Sequence, residues 1–226
     1  MLKKLYYLLP LLLLASCSIQ EKTISVTPQK EANFHENFDY KLINPQQKID
    51  GEDNKIEVVE MFFFACPHCY KLEPTIELWL KKQADDVKFI RVPAIIGPTW
   101  AIQAKAFYVA EKLGMSDVVR KKLFEAIHKE GKQIYNEYSL MTFFSELGVS
   151  QNRFLELYES EEVVELASKA REKTVNYGIR GVPAIIVNGK YYTATYFKTD
   201  HNKMLEVVDF LIEKERKEKL VTAQLK

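Results

Sequence analysis

The strongest apolar stretch runs from Lys55 to Phe64 as Lys-Ile-Glu-Val-Val-Glu-Met-Phe-Phe-Phe, β-branched and aromatic, and mostly continuous rather than alternating. That texture predicts a central strand covered on both faces. Pro67 to Lys82 carries Leu72, Ile76, Trp79 and Leu80 at helical spacing, and Val87 to Ile96 is strand-like again. Strand, helix and strand in succession make a βαβ unit, spanning 38–98 with its lead-in.

From about Thr99 to Asn176 the apolar period is helical throughout. Gly114, Gly131 and Gly148 cut the pattern, Ser116, Ser150 and Ser160 stand where caps belong, and Glu161 and Glu162 suit a first helical turn. Four or five short helices without a strand are expected, the insertion proper covering 99–171. Phe143, Phe144, Phe154 and Tyr158 read as core. In 172–226 strand texture returns at Pro183-Ala-Ile-Ile-Val187, then Asn188-Gly189, then Lys190 to Ala194, which predicts a two-residue hairpin turn with positive φ at both central residues. A last helix is expected from about Asp200 to Lys217, with Met204, Val207, Val208, Leu211 and Ile212 on one stripe and the charged end, Glu213 to Lys219, solvated. The order implies one sheet of parallel and antiparallel strands with helices on either face, an α/β domain with a helical insertion.

The first residues differ in kind. Lys3 and Lys4 precede an apolar run from Leu5 to Leu14, too short to span a bilayer and suited to an export signal over 1–16. Leu14-Ala15-Ser16-Cys17 resembles a bacterial lipobox, in which the Cys is acylated and becomes the first mature residue; an ordinary secretory signal or a short uncleaved anchor would equally export the chain. Residues 17–37, polar and aperiodic with Pro28, read as a flexible tether. Loss of Lys3 and Lys4 with the signal leaves 30 basic against 31 acidic residues, so no basic excess exists to bind a phosphate backbone, and no nucleic-acid partner is expected. Of the three cysteines, lipidation of Cys17 would leave only Cys66 and Cys69 as thiols.

Phe64-Ala65-Cys66-Pro67-His68-Cys69 lies where a strand ends and a helix begins. A helix's first turn offers unpaired N–H groups and positive potential to the leading sulfur, so Cys66 should ionise easily. Pro67 is tolerated there because its missing N–H costs nothing, and His68 can add charge or a donor. A stabilised thiolate leaves readily, which favours giving the disulfide away, while Cys69, one turn in, should be more buried and serve to regenerate the bridge. The other readings of the pair are weaker: a structural disulfide gains little from so short a loop, zinc needs further ligands, and haem attachment needs His where Tyr70 stands. Glu60 interrupts an apolar strand, so it is either a buried acid that must pair or share a proton, or a residue pointing to solvent at an irregular strand end.

Three segments carry a family likeness: Cys66-Pro67-His68-Cys69, the preceding Glu60-Met-Phe-Phe-Phe, and Gly181-Val182-Pro183 with Val187-Asn188-Gly189-Lys190-Tyr191. Over roughly Phe38 to Glu213 the chain resembles the DsbA family of disulfide-donating oxidoreductases. The resemblance implies a thioredoxin-like fold with an inserted all-helical subdomain and a cis Pro183 beside Cys66, with the Val182 backbone free to hold an extended substrate as an added strand. It also implies that Glu60 is the buried acid beneath the site, able to exchange a proton with Cys69. By the same likeness Lys88 is its basic partner.

The expected activity is donation of the Cys66–Cys69 disulfide to reduced exported proteins, with reoxidation by a DsbB-like membrane partner and no bound cofactor. The chain is expected to be a monomer held in the cell envelope by the lipid on Cys17, with Ser18 favouring the outer membrane. Two rivals use the same surface: a reductase or isomerase working in the opposite direction, and a non-catalytic holdase that only binds unfolded chains beside Pro183.

Overall fold

In the computed structural model the described residues are 34–49, 54–197 and 200–224. Cys17, the export signal and most of the expected tether lie outside them. The described residues include part of the span read as tether, and that part is packed: Phe34 sets its ring edge-on to Phe210, centroids 5.6 Å apart, and Glu36 bridges to Tyr40. Among the described residues no helix is long and apolar enough to cross a membrane.

The elements are β1 (Lys41–Leu42), β2 (Ile56–Phe62), α1 (Pro67–Leu80), β3 (Val87–Pro93), α2 (Pro98–Lys112), α3 (Ser116–His128), α4 (Glu137–Glu146), α5 (Gln151–Tyr158), α6 (Glu161–Asn176), β4 (Ala184–Val187), β5 (Tyr191–Ala194) and α7 (His201–Gln224). They form one sheet in the order β1-β5-β4-β2-β3, parallel only between β2 and β3. This is the thioredoxin-like α/β fold, with five helices between β3 and β4.

Strand parity divides the core. Val59 and Met61 of β2, with Ala184 and Ile186 of β4, pack toward the helical insertion, whereas Ile56, Val58, Ile185 and Val187 face α1 and α7. Both faces of β2 are therefore covered, which is why its run is continuous. Phe143, Phe144, Phe154 and Tyr158 are buried, and so is the whole predicted stripe of the last helix.

Local chemistry sets the helix ends. Ser150 and Ser160 accept from the backbone of Arg153 and Val163, each cap worth about 1 kcal/mol. Ser116 does not cap; it is the first residue of α3, and Met115 occupies the cap position. Asn136 and Ser139 form a capping box at α4 that the sequence reading passed over.

Three boundaries move. The insertion runs to Asn176, because α6 continues unbroken past residue 171. Asn188 and Gly189 do take positive φ, 54° and 63°, but Val187 pairs with Tyr191, so Lys190 belongs to a three-residue loop. Gly189 is required there twice over, since a Cβ would lie 2.3 Å from the Gln47 carbonyl oxygen. The last helix extends to Gln224, and its charged end is partly fastened: Glu215 is buried against Asn188 and Lys190, and Arg216 binds Asp86 through two nitrogens.

Candidate active site

The site forms where β2 ends. Phe63 to Ala65 make a tight turn, closed by the Cys66 N–H donating to the Phe63 carbonyl at 3.0 Å, and Cys66 is the N-cap of α1 with Pro67 in its first turn. Pro67 and His68 are exposed, Cys66 is half-buried, and Cys69 is fully buried one turn in. The four motif residues thus sit as expected, with one sulfur at the surface and one beneath it.

Both cysteines are thiols. The Cys66 thiol is brought down to about 6: the Cys69 S–H donates to its sulfur, partial burial works against this, and the Cys69 and His68 backbone N–H groups and the His68 charge add smaller pulls in the same direction. Cys69 moves the opposite way, well above the usual thiol range, because burial penalises its anion and the Cys66 sulfur and the Glu60 charge add to the cost. The Phe63 backbone N–H is the donor that opposes this rise. Two thiols three residues apart are therefore driven to opposite protonation states at neutral pH.

Pro183 follows a cis peptide bond. The Cys66 thiol donates to the Val182 carbonyl oxygen at 3.4 Å, so the Val182 segment does lie against the leading sulfur.

Glu60 is wholly buried on the α1 side of the sheet, which excludes the solvent-facing reading. Burial raises its carboxyl above the usual range, against the pull of Arg91 and Arg120. Arg91 Nε lies 3.1 Å from Glu60 Oε2, close enough to act as a charge, yet neither carboxylate oxygen has a donor in line. The basic partner is therefore Arg91 and not Lys88. In the β2–β3 register Glu60 faces Arg91 and Glu57 faces Lys88; residues three apart on a strand point to opposite faces, so Lys88 cannot share the Glu60 side.

Several contributors gave no sequence signal. Gln103 of α2, buried, accepts from Ala65 N–H at 3.1 Å and donates to the Ile134 carbonyl at 2.8 Å. His128 closes α3 with Nε2 2.7 Å from the Phe64 carbonyl and its ring stacked on Tyr70. Trp100 stacks on Phe63, ring centroids 3.9 Å apart. A lone Gln, His or Trp on a helical face reads as core or surface; only the tertiary fold brings these three to the turn that carries Cys66.

Known proteins resemble this chain in sequence and fold. A family model described as DSBA-like thioredoxin domain matches residues 57–207. The thiol:disulfide interchange protein DsbA of Azotobacter vinelandii is 39% identical over 166 residues, 74% of this chain and 78% of that one. The protein of the same name from Burkholderia cepacia is 33% identical over 182 residues, 80% of this chain and 86% of its own. Among solved structures, Pseudomonas aeruginosa DsbA superposes with a TM-score of 0.77 at 35% identity, covering 82% of this chain and 96% of that one. The oxidoreductase DsbA of Xylella fastidiosa gives 0.73 at 32% identity, over 79% and 95%.

Proposed function

The chain belongs to the DsbA-like thioredoxin family, and from that premise we propose that it oxidises exported proteins by passing on a Cys66–Cys69 disulfide. It is a thiol:disulfide oxidoreductase. The observation that carries the direction is the opposed chemistry of its two thiols: a Cys66 held at about 6 is stable as a leaving anion, so the reduced form is favoured over the bridged one.

The reaction runs in two exchanges. A substrate thiolate attacks Cys66 Sγ, forming a mixed disulfide and expelling Cys69 as a thiolate, which is protonated because its buried anion is costly. Glu60, raised by burial, is the acid beneath it that supplies this proton. A second substrate thiolate then attacks the substrate sulfur of the mixed disulfide and releases Cys66 as its stabilised anion. The substrate leaves oxidised by two electrons, and the reduced pair requires an external oxidant, a DsbB-like membrane partner. The redox-active pair is the only electron carrier this scheme needs. The Val182 backbone, next to the sulfur, holds the substrate as an added strand.

The lipobox over Leu14 to Cys17 supports anchoring of the monomer in the cell envelope through an acylated Cys17, with Ser18 favouring the outer membrane. Substrates would then meet the enzyme as they emerge near a membrane. Cys17→Ala is expected to move the protein from the membrane fraction to the soluble one; retention in the membrane would remove the anchor.

Equilibration of the Cys66–Cys69 pair with a glutathione buffer tests the direction. The expected result is a strongly oxidising couple, and a thioredoxin-like one would assign the chain to reduction instead.

A further inference from the structure

Beneath Cys69 the charges continue beyond Glu60 and Arg91. Glu73 of α1, nearly buried, lies 3.8 Å from Arg91 Nε and is ion-paired to Arg120, which comes from α3 in the helical insertion. Arg120 is itself buried, and its Nη2 also reaches Glu77 at 2.8 Å and Asp117 at 3.1 Å. Glu77 in turn lies 3.7 Å from Arg91 Nη2. Two guanidiniums thus face four carboxylates, and Arg91 and Arg120 share Glu73 and Glu77 between them.

This excess of carboxylates falls on Glu60. Arg91 is its nearest cation, but Arg91 is also drawn toward Glu73 and Glu77. Whatever holds those two acids decides how far Arg91 is available to a Glu60 anion. Arg120 is the group that holds them, and it is buried in a segment that contributes no residue to the reacting sulfurs. Burying an arginine requires pairing to offset its desolvation, and here the pairing is directed wholly at this cluster.

We infer that Arg120 is a positioning residue for the redox step: by engaging Glu73 and Glu77 it leaves Arg91 to Glu60, and so sets the pH range over which Glu60 delivers a proton to the departing Cys69. The inference rests on the Glu60 role given under Proposed function. The charged groups facing the cluster come from three elements: Arg91 on β3, Glu73 and Glu77 on α1, and Asp117 and Arg120 on α3. Cys69 is the further titratable neighbour. From β4, Ile185 lies beside Glu60, and α7 packs Met204, Val207, Val208 and Leu211 on that face of the sheet. The electrostatic influence has the required sign: Arg120 favours the Glu60 anion and Glu77 opposes it.

The test uses the oxidised full chain and a reduced cysteine peptide, following mixed-disulfide formation in a single turnover across pH. Corrected for the thiolate fraction of the peptide, the rate should fall as pH rises through the Glu60 titration. Arg120→Met should move that midpoint up by roughly one pH unit, the shift a lost neighbouring charge produces. Arg120→Lys should restore it, and Glu77→Gln should move it down. In every variant alkylation of Cys66 should keep its own midpoint near 6, because the strongest influences on that sulfur come from Cys69, His68 and its own burial.

A merely structural Arg120 would lower the Tm while leaving the midpoint in place, and that result overturns the proposal. If Arg120→Met does not fold, Arg120→Gln, which keeps a donor for Glu73, takes its place with the same upward shift expected. Failure of the underlying reading looks different: Glu60→Gln would then retain the wild-type fall of rate with pH.

Discussion

The Cys66 sulfur lies 3.4 Å from the carbonyl oxygen of Val182, a residue 116 positions further along the chain, and in its thiol form donates a hydrogen bond to it. This contact joins the start of α1 to the segment that precedes β4. The Cys66 thiol and the Val182 backbone therefore form one surface at a single end of the paired strands β2 and β4, where Met61 lies opposite Ala184.

Alkylation of the reduced chain by iodoacetamide should follow a titration centred near pH 6. Because the Cys69 S–H is the largest influence holding Cys66 down, Cys69→Ala should raise this midpoint more than His68→Ala. Equal shifts in the two variants would give His68 a weight that the geometry does not.

A depressed thiol also makes stability depend on pH. In the reduced chain Cys66 is an anion above about 6 when folded but titrates near 9 when unfolded, while in the oxidised chain it does not titrate. The stabilisation is complete above the unfolded value and is lost as pH falls through the folded one. The Tm of the reduced chain should therefore gain on that of the oxidised chain between pH 6 and 9, and the difference should stop changing below pH 6. A difference independent of pH across this range would contradict it.

Replacing Arg91 by Met should cost about 3–5 kcal/mol, the usual consequence of leaving buried carboxylates without their cation. Lys88→Ala should leave the pH profile of the exchange unchanged, since that side chain belongs to the other face of β3. Denaturant unfolding of both variants beside single-turnover kinetics checks the pair, and a Lys88-dependent profile would restore the partner the sequence suggested.

Gln103→Leu should leave the Ala65 N–H and the Ile134 carbonyl unpaired in a buried setting. At about 1–3 kcal/mol per orphaned group, the expected loss is at least about 2 kcal/mol. That corresponds to a fall in Tm of roughly 4–8 °C for a domain of this size. Exchange should slow as the turn before Cys66 loosens. An unchanged Tm with normal kinetics would make the bridge incidental.

What the sequence disclosed, and what it withheld, follows physical range. β2, α1 and the helical block could be read because burial on both faces, or on one helical stripe, repeats over many residues. Cys66, Pro67, His68 and Cys69 were legible because their spacing and their place at a helix start fix their geometry locally. The acid at Glu60 stood out as a polar break in an apolar run. Its partner did not, because choosing between Lys88 and Arg91 demands the strand register, and one error in parity reverses the face. β1, only two residues long, is too short to carry any period. Gln103, His128 and Arg120 act across 31 to 64 positions of chain, beyond what any local pattern encodes.

The Gln103 carboxamide spends its oxygen on the turn that precedes Cys66 and its nitrogen on the link between α3 and α4. The helical block is consequently not a separable lobe: excising it, or grafting it from a relative with a different residue there, would take away part of the wall that shapes the reactive loop. Reengineering of this enzyme by domain exchange has to carry that amide across with the helices.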